Sequence, residues 1–398
     1  MGNFISLKLG KFESLLTDMN IEVQNQKVSE NIEVKTVLKK KLNIGTNPLT
    51  GLIIAILTVA FFVITDVVPS GSFLTFIGLC IVAWLAVENG GNDVSKGVSS
   101  LVASGYANPF TAIIYGVVMT VIGGVCSFFL ASKLVHLFTE GLMNSEYHLS
   151  GIMALSMALG ATLWVALATK FSLPVSTTHA IIGAVILVAC ISHGVSSVLW
   201  GNLASKIVLP LLLSPVLGLW IAWFINLFID KLNINSKVGR GIAWASSGLI
   251  CFVRSVNDTP KIVAIVLLIS ALNGSQEQGN ILPFSFFVLI TVAMSLGSLI
   301  KGLPVTELLA RKVTKLDENS SLSAVLTTTS LVMASSQFGL PASTTHVSTS
   351  SIIGAGLKHG RKGINLGVIK DIVLSWIVTL PGAGIIALCF YYILSLVL

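Results

Sequence analysis

Charge is what this chain has least of: Asp, Glu, Lys and Arg together make up 10% of its 398 residues, against 54% hydrophobic ones. Soluble domains carry roughly a quarter of their residues as charged side chains. The scarcity here, with a mean hydropathy of +0.90, excludes a soluble globular protein. The formal charge of +7 is no sign of nucleic acid, because the lysines and arginines stand in short loops between apolar runs rather than along a stripe. Cysteine is sparse as well. Cys80, Cys126, Cys190, Cys251 and Cys389 all fall in apolar segments without a CxxC or metal-ligand spacing, which leaves neither a disulfide framework nor a structural zinc. Residues 1–47 lack the apolar core of a signal peptide, so the N-terminus is expected to be retained.

What the sequence does hold is a series of apolar runs, and they predict an all-α polytopic membrane protein. Residues 1–48 read as a polar cytoplasmic extension in which Phe12, Leu15, Leu16 and Met19 share one helical face, suited to an interfacial helix or a packed extension. Lys39, Lys40 and Lys41 precede the first run, residues 49–68, which is long enough to cross about 30 Å of hydrocarbon. That places the N-terminus inside.

Beyond residue 70 the chain repeats itself. Asn92 and Asn257, Asp93 and Asp258, and Lys96 and Lys261 are each 165 residues apart, Pro174 and Pro341 are 167 apart, and Pro215 and Pro381 are 166 apart. So steady an offset predicts an internal repeat. The domains then run 1–48 (extension), 49–70 (leading transmembrane helix), 71–232 (first repeat) and 233–398 (second repeat). Residues 137–150 contain no Lys or Arg, whereas the equivalent stretch contains Lys301, Arg311, Lys312 and Lys315; likewise 192–198 against Lys358, Arg361 and Lys362. Equivalent loops on opposite sides mean inverted-topology repeats. The C-terminus then lies outside, with Lys133 as the one charge to be explained by snorkelling.

Two kinds of polar stretch interrupt each repeat. SLPVSTTH (172–179) and GLPASTTH (339–346) place Ser176, Thr177, Thr178 and Ser343, Thr344, Thr345 after a proline. The short apolar piece that follows reads as a half-helix of a re-entrant hairpin. Free N–H groups, hydroxyls and the positive end of a helix dipole suit an anion, although threonine hydroxyls can instead bond back into the helix. Asn92 and Asp93, with Asn257 and Asp258, are expected at a second set of helix breaks, where they would cap the next turn and hold a hard cation; pairing with Lys96 and Lys261 is the plainer reading. His179 and His346 are read as support for the hairpins, with proton transfer as the other possibility. Under inversion both ND pairs and both hairpin tips meet near the mid-membrane.

These NDV/NDT and LPVSTTH/LPASTTH stretches resemble the inorganic phosphate transporter (PiT) family, over nearly all the chain from about residue 72. The resemblance implies a sodium- or proton-coupled phosphate symporter. Phosphate would be contacted by the Ser and Thr of both copies, with Asn92 and Asn257 near it, and the coupling cations, sodium in the first place, would sit at Asp93, Asp258, Asn92 and Asn257. The expected partners are phosphate, sodium and the bilayer, with a homodimer left open and no further cofactor. Three departures from the family pattern stand out: Gly91 and Lys96 in the first motif, Pro260 and Lys261 in the second, and Val118, Met119, Thr120 where many members have a glutamate. A sulfate carrier of the same fold is the alternative for substrate. A hydrolase built on Ser176, His179 and Asp93 is disfavoured because every candidate is duplicated, and a passive anion channel differs in being unable to concentrate its substrate.

Overall fold

The computed structural model describes residues 46–69, 71–144, 146–147, 149–229, 231, 236–270, 284–311, 317–359 and 365–397. Among these the ordered structure is helical, apart from one isolated bridge between Met143 and Val198. A leading helix, α1 (Pro48–Ile64), is followed by α2 (Phe73–Ala103), α3 (Pro109–Leu130), α4 (Ser132–Thr139), α5 (Gly151–Lys170), α6 (Thr177–His193) and α7 (Trp200–Ile229). The same sequence of lengths then returns as α8 (Ser236–Ser270), α9 (Phe284–Lys301), α10 (Leu303–Arg311), α11 (Glu318–Gln337), α12 (Thr344–Gly356) and α13 (Leu366–Val397). The stretch expected to form an N-terminal amphipathic helix lies outside the described residues, as do Lys312, Lys315, Arg361 and Lys362.

Local chemistry sets the helix starts. Asn47, Ser72, Asn108, Ser150, Ser176, Asp317 and Ser343 each accept a hydrogen bond from a backbone N–H of the first turn, and Pro48 and Pro109 occupy positions where no donor is missed. The ends of α5 and α11 match: Ser172 (φ 57°) and Gly339 (φ 70°) turn the chain left-handed, and Leu173 and Leu340 donate back to Ala168 and Ser335. This closure satisfies helix-end carbonyls and turns the chain into the extended approach to each STTH tip.

The repeats interlock by exchange. Helix α2 packs on α9 while α8 packs on α3; α6 packs on α13 while α12 packs on α7; and α2 and α8 run side by side at the centre. Such swapped pairings are what a pseudo-two-fold axis produces. Phe110 and Phe129 on α3, Leu212, Trp220 and Phe224 on α7, and Ile377 and Tyr392 on α13 are exposed, so these helices form the apolar outer wall that meets lipid. Six described helices are long and apolar enough to cross a membrane. The 35-residue α8 is not among them.

Three expectations are corrected. The helix does not break at Asn92 or Asn257: α2 and α8 run straight through both motifs, and their Asn and Asp lie mid-helix instead of at a cap. Such residues cost a helix only a few tenths of a kcal/mol, which their tertiary bonds outweigh. Gly90 and Gly91 are there for closeness instead. A Cβ on Gly90 would run into the Met294 carbonyl of α9, and one on Gly91 into the Lys301 side chain. Second, Lys301 is not a loop residue; it is fully buried and bonded to Glu88 (2.8 Å) and to the Asn47 carbonyl at the start of α1 (2.8 Å). Third, residues 110–138, which read from their apolar composition as one continuous run, form two helices divided at Ala131.

Candidate functional site

The site is built where the two central helices meet the two hairpin tips. On α2 the side chains of Asn89, Asn92, Asp93 and Lys96 recur every three or four residues, so one face of an unbroken helix presents all of them. Helix α8 does the same with Arg254, Asn257, Asp258 and Lys261. Every one of these eight is buried to 3% exposure or less.

The lysines close on the aspartates. Lys96 Nζ donates to Asp93 Oδ1 and to the Val175 carbonyl (3.3 Å), and Lys261 Nζ donates to Asp258 Oδ1 (3.1 Å) and to Thr178 Oγ1 (2.9 Å). Buried charges persist only when paired and hydrogen-bonded, and these are. Arg254 donates to Thr120 Oγ1 at 2.7 Å, while its Nε and Nη1 have no hydrogen-bond partner among the described residues. Its charge acts on both aspartates. Three cations therefore face two carboxylates in one dry region.

The tips arrive from opposite repeats. Thr344 Oγ1, on the second tip, donates to Asp93 Oδ2 at 3.4 Å, and Thr345 Oγ1 donates to the Val175 carbonyl of the first tip at 2.6 Å. Asn89 Nδ2 donates to Thr177 Oγ1 at 2.8 Å. Ser176 and Ser343 are N-caps, each accepting from the N–H three residues on (3.3 Å), so their oxygens already hold the helix start. Asn92 clamps the approach to the first tip, donating to the Leu173 carbonyl (2.8 Å) and accepting from Val175 N–H (3.1 Å); Asn257 donates to the Ala342 carbonyl (2.9 Å), leaving its Oδ1 without a partner among the described residues. His179 and His346, one residue past each hydroxyl row, lie against each other with ring centroids 4.6 Å apart, and His346 also stacks on Trp376 at 4.0 Å. They join the two hairpins at their first turns.

The structure thus brings all fourteen sequence-predicted residues to one region, with Lys96 and Lys261 as direct partners of the aspartates. What the sequence reading missed is Arg254 and Asn89, and the Glu88–Lys301 pair nearby. Arg254 and Asn89 stand four residues before the aspartates and 165 apart from each other. That signal becomes visible once the helix is read as continuous. A cavity of 510 Å³ opens behind the first hairpin, lined by Trp164, Leu167, Phe171, Leu173, Val175 and other side chains; its walls are largely apolar and offer an anion little.

A model of the phosphate transporter family matches residues 89–245 and 235–387, which takes in the ND segments of both central helices and both tips. Among relatives, the "Probable low-affinity inorganic phosphate transporter" of Bacillus subtilis is 27% identical, over 80% of this chain and 97% of that protein. Its namesake in Mycobacterium leprae is 23% identical, over 78% of this chain and 75% of that one. Among solved structures, "The sodium-dependent phosphate transporter" shares the fold with a TM-score of 0.71 at 22% identity, covering 82% of this chain and all of that one. Two matched halves, each carrying its ND pair and its STTH tip, place this chain in the phosphate transporter family.

Proposed function

We propose that the protein is a secondary carrier that imports inorganic phosphate in symport with a cation, by exposing the central site alternately to the two sides of the membrane. Family membership makes it a multi-pass membrane protein that transports phosphate and is not an enzyme. The one observation that carries the finer reading is the site itself: two helix N-termini with their threonine hydroxyls converge from opposite repeats on a buried cluster holding more cations than carboxylates. N–H groups, hydroxyls and excess positive charge are what a tetrahedral oxyanion requires. Among the described residues the side-chain hydrogen bond of each tip serine is to a backbone N–H, and the two histidine rings lie tilted against each other, which is not the serine–histidine pairing a hydrolase would use.

Sodium at Asp93 and Asp258 is the coupling ion that the resemblance implies, and the proton is the second candidate. The lysine pairs on both carboxylates favour the proton. In this reading the N-terminus faces the cytoplasm and the C-terminus the outside. The test is accumulation of labelled phosphate in proteoliposomes under imposed sodium and pH gradients, with sulfate as competitor. Accumulation against a phosphate gradient, unaffected by sulfate, is the expected result. Equilibration without accumulation would instead describe a channel, and inhibition by equimolar sulfate a general oxyanion carrier.

A further inference from the structure

We propose that Lys96 and Lys261 are built-in counter-cations whose ammonium groups occupy the positions a sodium ion would need, so that this carrier moves phosphate without sodium. The inference rests on the reading of the chain as a phosphate carrier. It starts from the oxygen atoms that surround each ammonium. Lys96 Nζ is held by a carboxylate oxygen of Asp93 and the Val175 carbonyl, and Lys261 Nζ by a carboxylate oxygen of Asp258 and the Thr178 hydroxyl. Carboxylate with carbonyl or hydroxyl oxygen is the donor set of a hard cation. Here each set is taken by a compact charge on a flexible stem, the kind of cation lysine supplies and arginine does not.

Tethering decides the competition. Each lysine stands three residues from its aspartate on the same helix, so its pairing is intramolecular, whereas a dissolved ion must displace it from outside. Electrostatics points the same way. With Arg254 the cluster already has three cations for two carboxylates, and a further sodium at either would be repelled at low dielectric. Phosphate is the partner that balances this excess. The device is repeated, so each carboxylate has one oxygen on a lysine; the second oxygen of Asp93 accepts from Thr344, and Asp258 Oδ2 has no hydrogen-bond partner among the described residues.

The experiment is uptake of labelled inorganic phosphate into proteoliposomes under an inward proton gradient, with sodium or choline as the external cation. For the unaltered protein the sodium-to-choline ratio is expected to be about one, with no labelled sodium entering alongside phosphate. Replacing both lysines in Lys96→Ala/Lys261→Ala uncovers the carboxylates; uptake in choline then falls and sodium restores it, taking the ratio to roughly tenfold. Lys96→Arg/Lys261→Arg keeps both positive charges beside the carboxylates, so the ratio stays near one even where the bulkier head groups lower total uptake. A ratio far above one in the unaltered protein, or labelled sodium entering with phosphate, overturns the inference and leaves the phosphate reading intact. Those two measurements need no variant, so poor folding of the alanine protein does not blunt the test. Absence of phosphate uptake in every medium would instead defeat the carrier reading on which the inference rests.

Discussion

Lys261, on the second repeat, reaches across the molecular centre to Thr178 of the first: Nζ and Oγ1 are 2.9 Å apart in a region closed to water. A hydroxyl of one half thus accepts from a charge belonging to the other. Thr178→Val keeps the shape and removes that acceptor. Uptake of labelled phosphate is expected to fall by roughly tenfold, because a hydrogen bond to a charged group contributes about 1.5–3 kcal/mol. Unchanged uptake in folded protein would show that the contact is incidental.

Asp93→Asn and Asp258→Asn each strand a buried lysine. Breaking such a pair from one side costs about 3–5 kcal/mol. The loss should appear as a lower melting temperature in detergent, together with weakened cation dependence of transport. Anion selectivity is expected to change less than cation dependence, since the hydroxyls and N–H groups of the tips, and not the carboxylates, are the groups read as holding the anion. A variant with normal cation dependence and altered anion preference would reverse that division of labour.

Gly90→Ala and Gly201→Ala separate closeness from flexibility. A methyl at Gly90 meets the Met294 backbone, whereas one at Gly201 meets nothing within 4 Å. Overpacking costs typically about 1–3 kcal/mol. Thermal unfolding should therefore separate the two variants by several degrees, with Gly201→Ala at or above the parent.

At the start of α11, Asp317 accepts from Ser320 N–H at 2.7 Å and pairs with Lys358 at 3.2 Å. Partial burial pushes its carboxyl upward, but the Ser320 hydrogen bonds and Lys358 prevail and hold it below the usual carboxylate range. A lowered folded-state value means stability that is present above about pH 4, the ordinary aspartate value, and lost as pH falls through the lower folded one. Asp317→Asn keeps the cap but loses the charge. Its melting temperature should track the parent in strong acid and fall slightly below it at neutral pH.

Much of the arrangement is legible in the residues themselves. The 165-residue offset of the ND pairs and the 167-residue offset of the prolines announce two copies, and the prolines with their hydroxyl rows announce the hairpins. The reading goes astray at Gly90, Gly91 and Asn92, because glycine and asparagine are also the vocabulary of turns. Only the neighbouring helix α9 reveals that the glycines are there to let a backbone approach. Lys301 was hidden for a related reason. At the end of an apolar run a lysine looks like a loop charge until Glu88, 213 positions away, is found beside it. Arg254 shows the same limit: composition cannot say that a charge in a helix faces its partner's threonine.

The unbroken course of α2 and α8 gives the molecule two beams with no joint at the candidate site. Its corners lie elsewhere, at Ser172 and Gly339, where each hairpin leaves its supporting helix with a left-handed turn. A carrier framed this way is expected to work as a pair of doors hung on fixed posts. Spin labels along α2 and α8 should keep their separation through the cycle while labels at Phe171 and Phe338 change theirs. The serine at one corner, where its partner has glycine, makes one door the stiffer of the two.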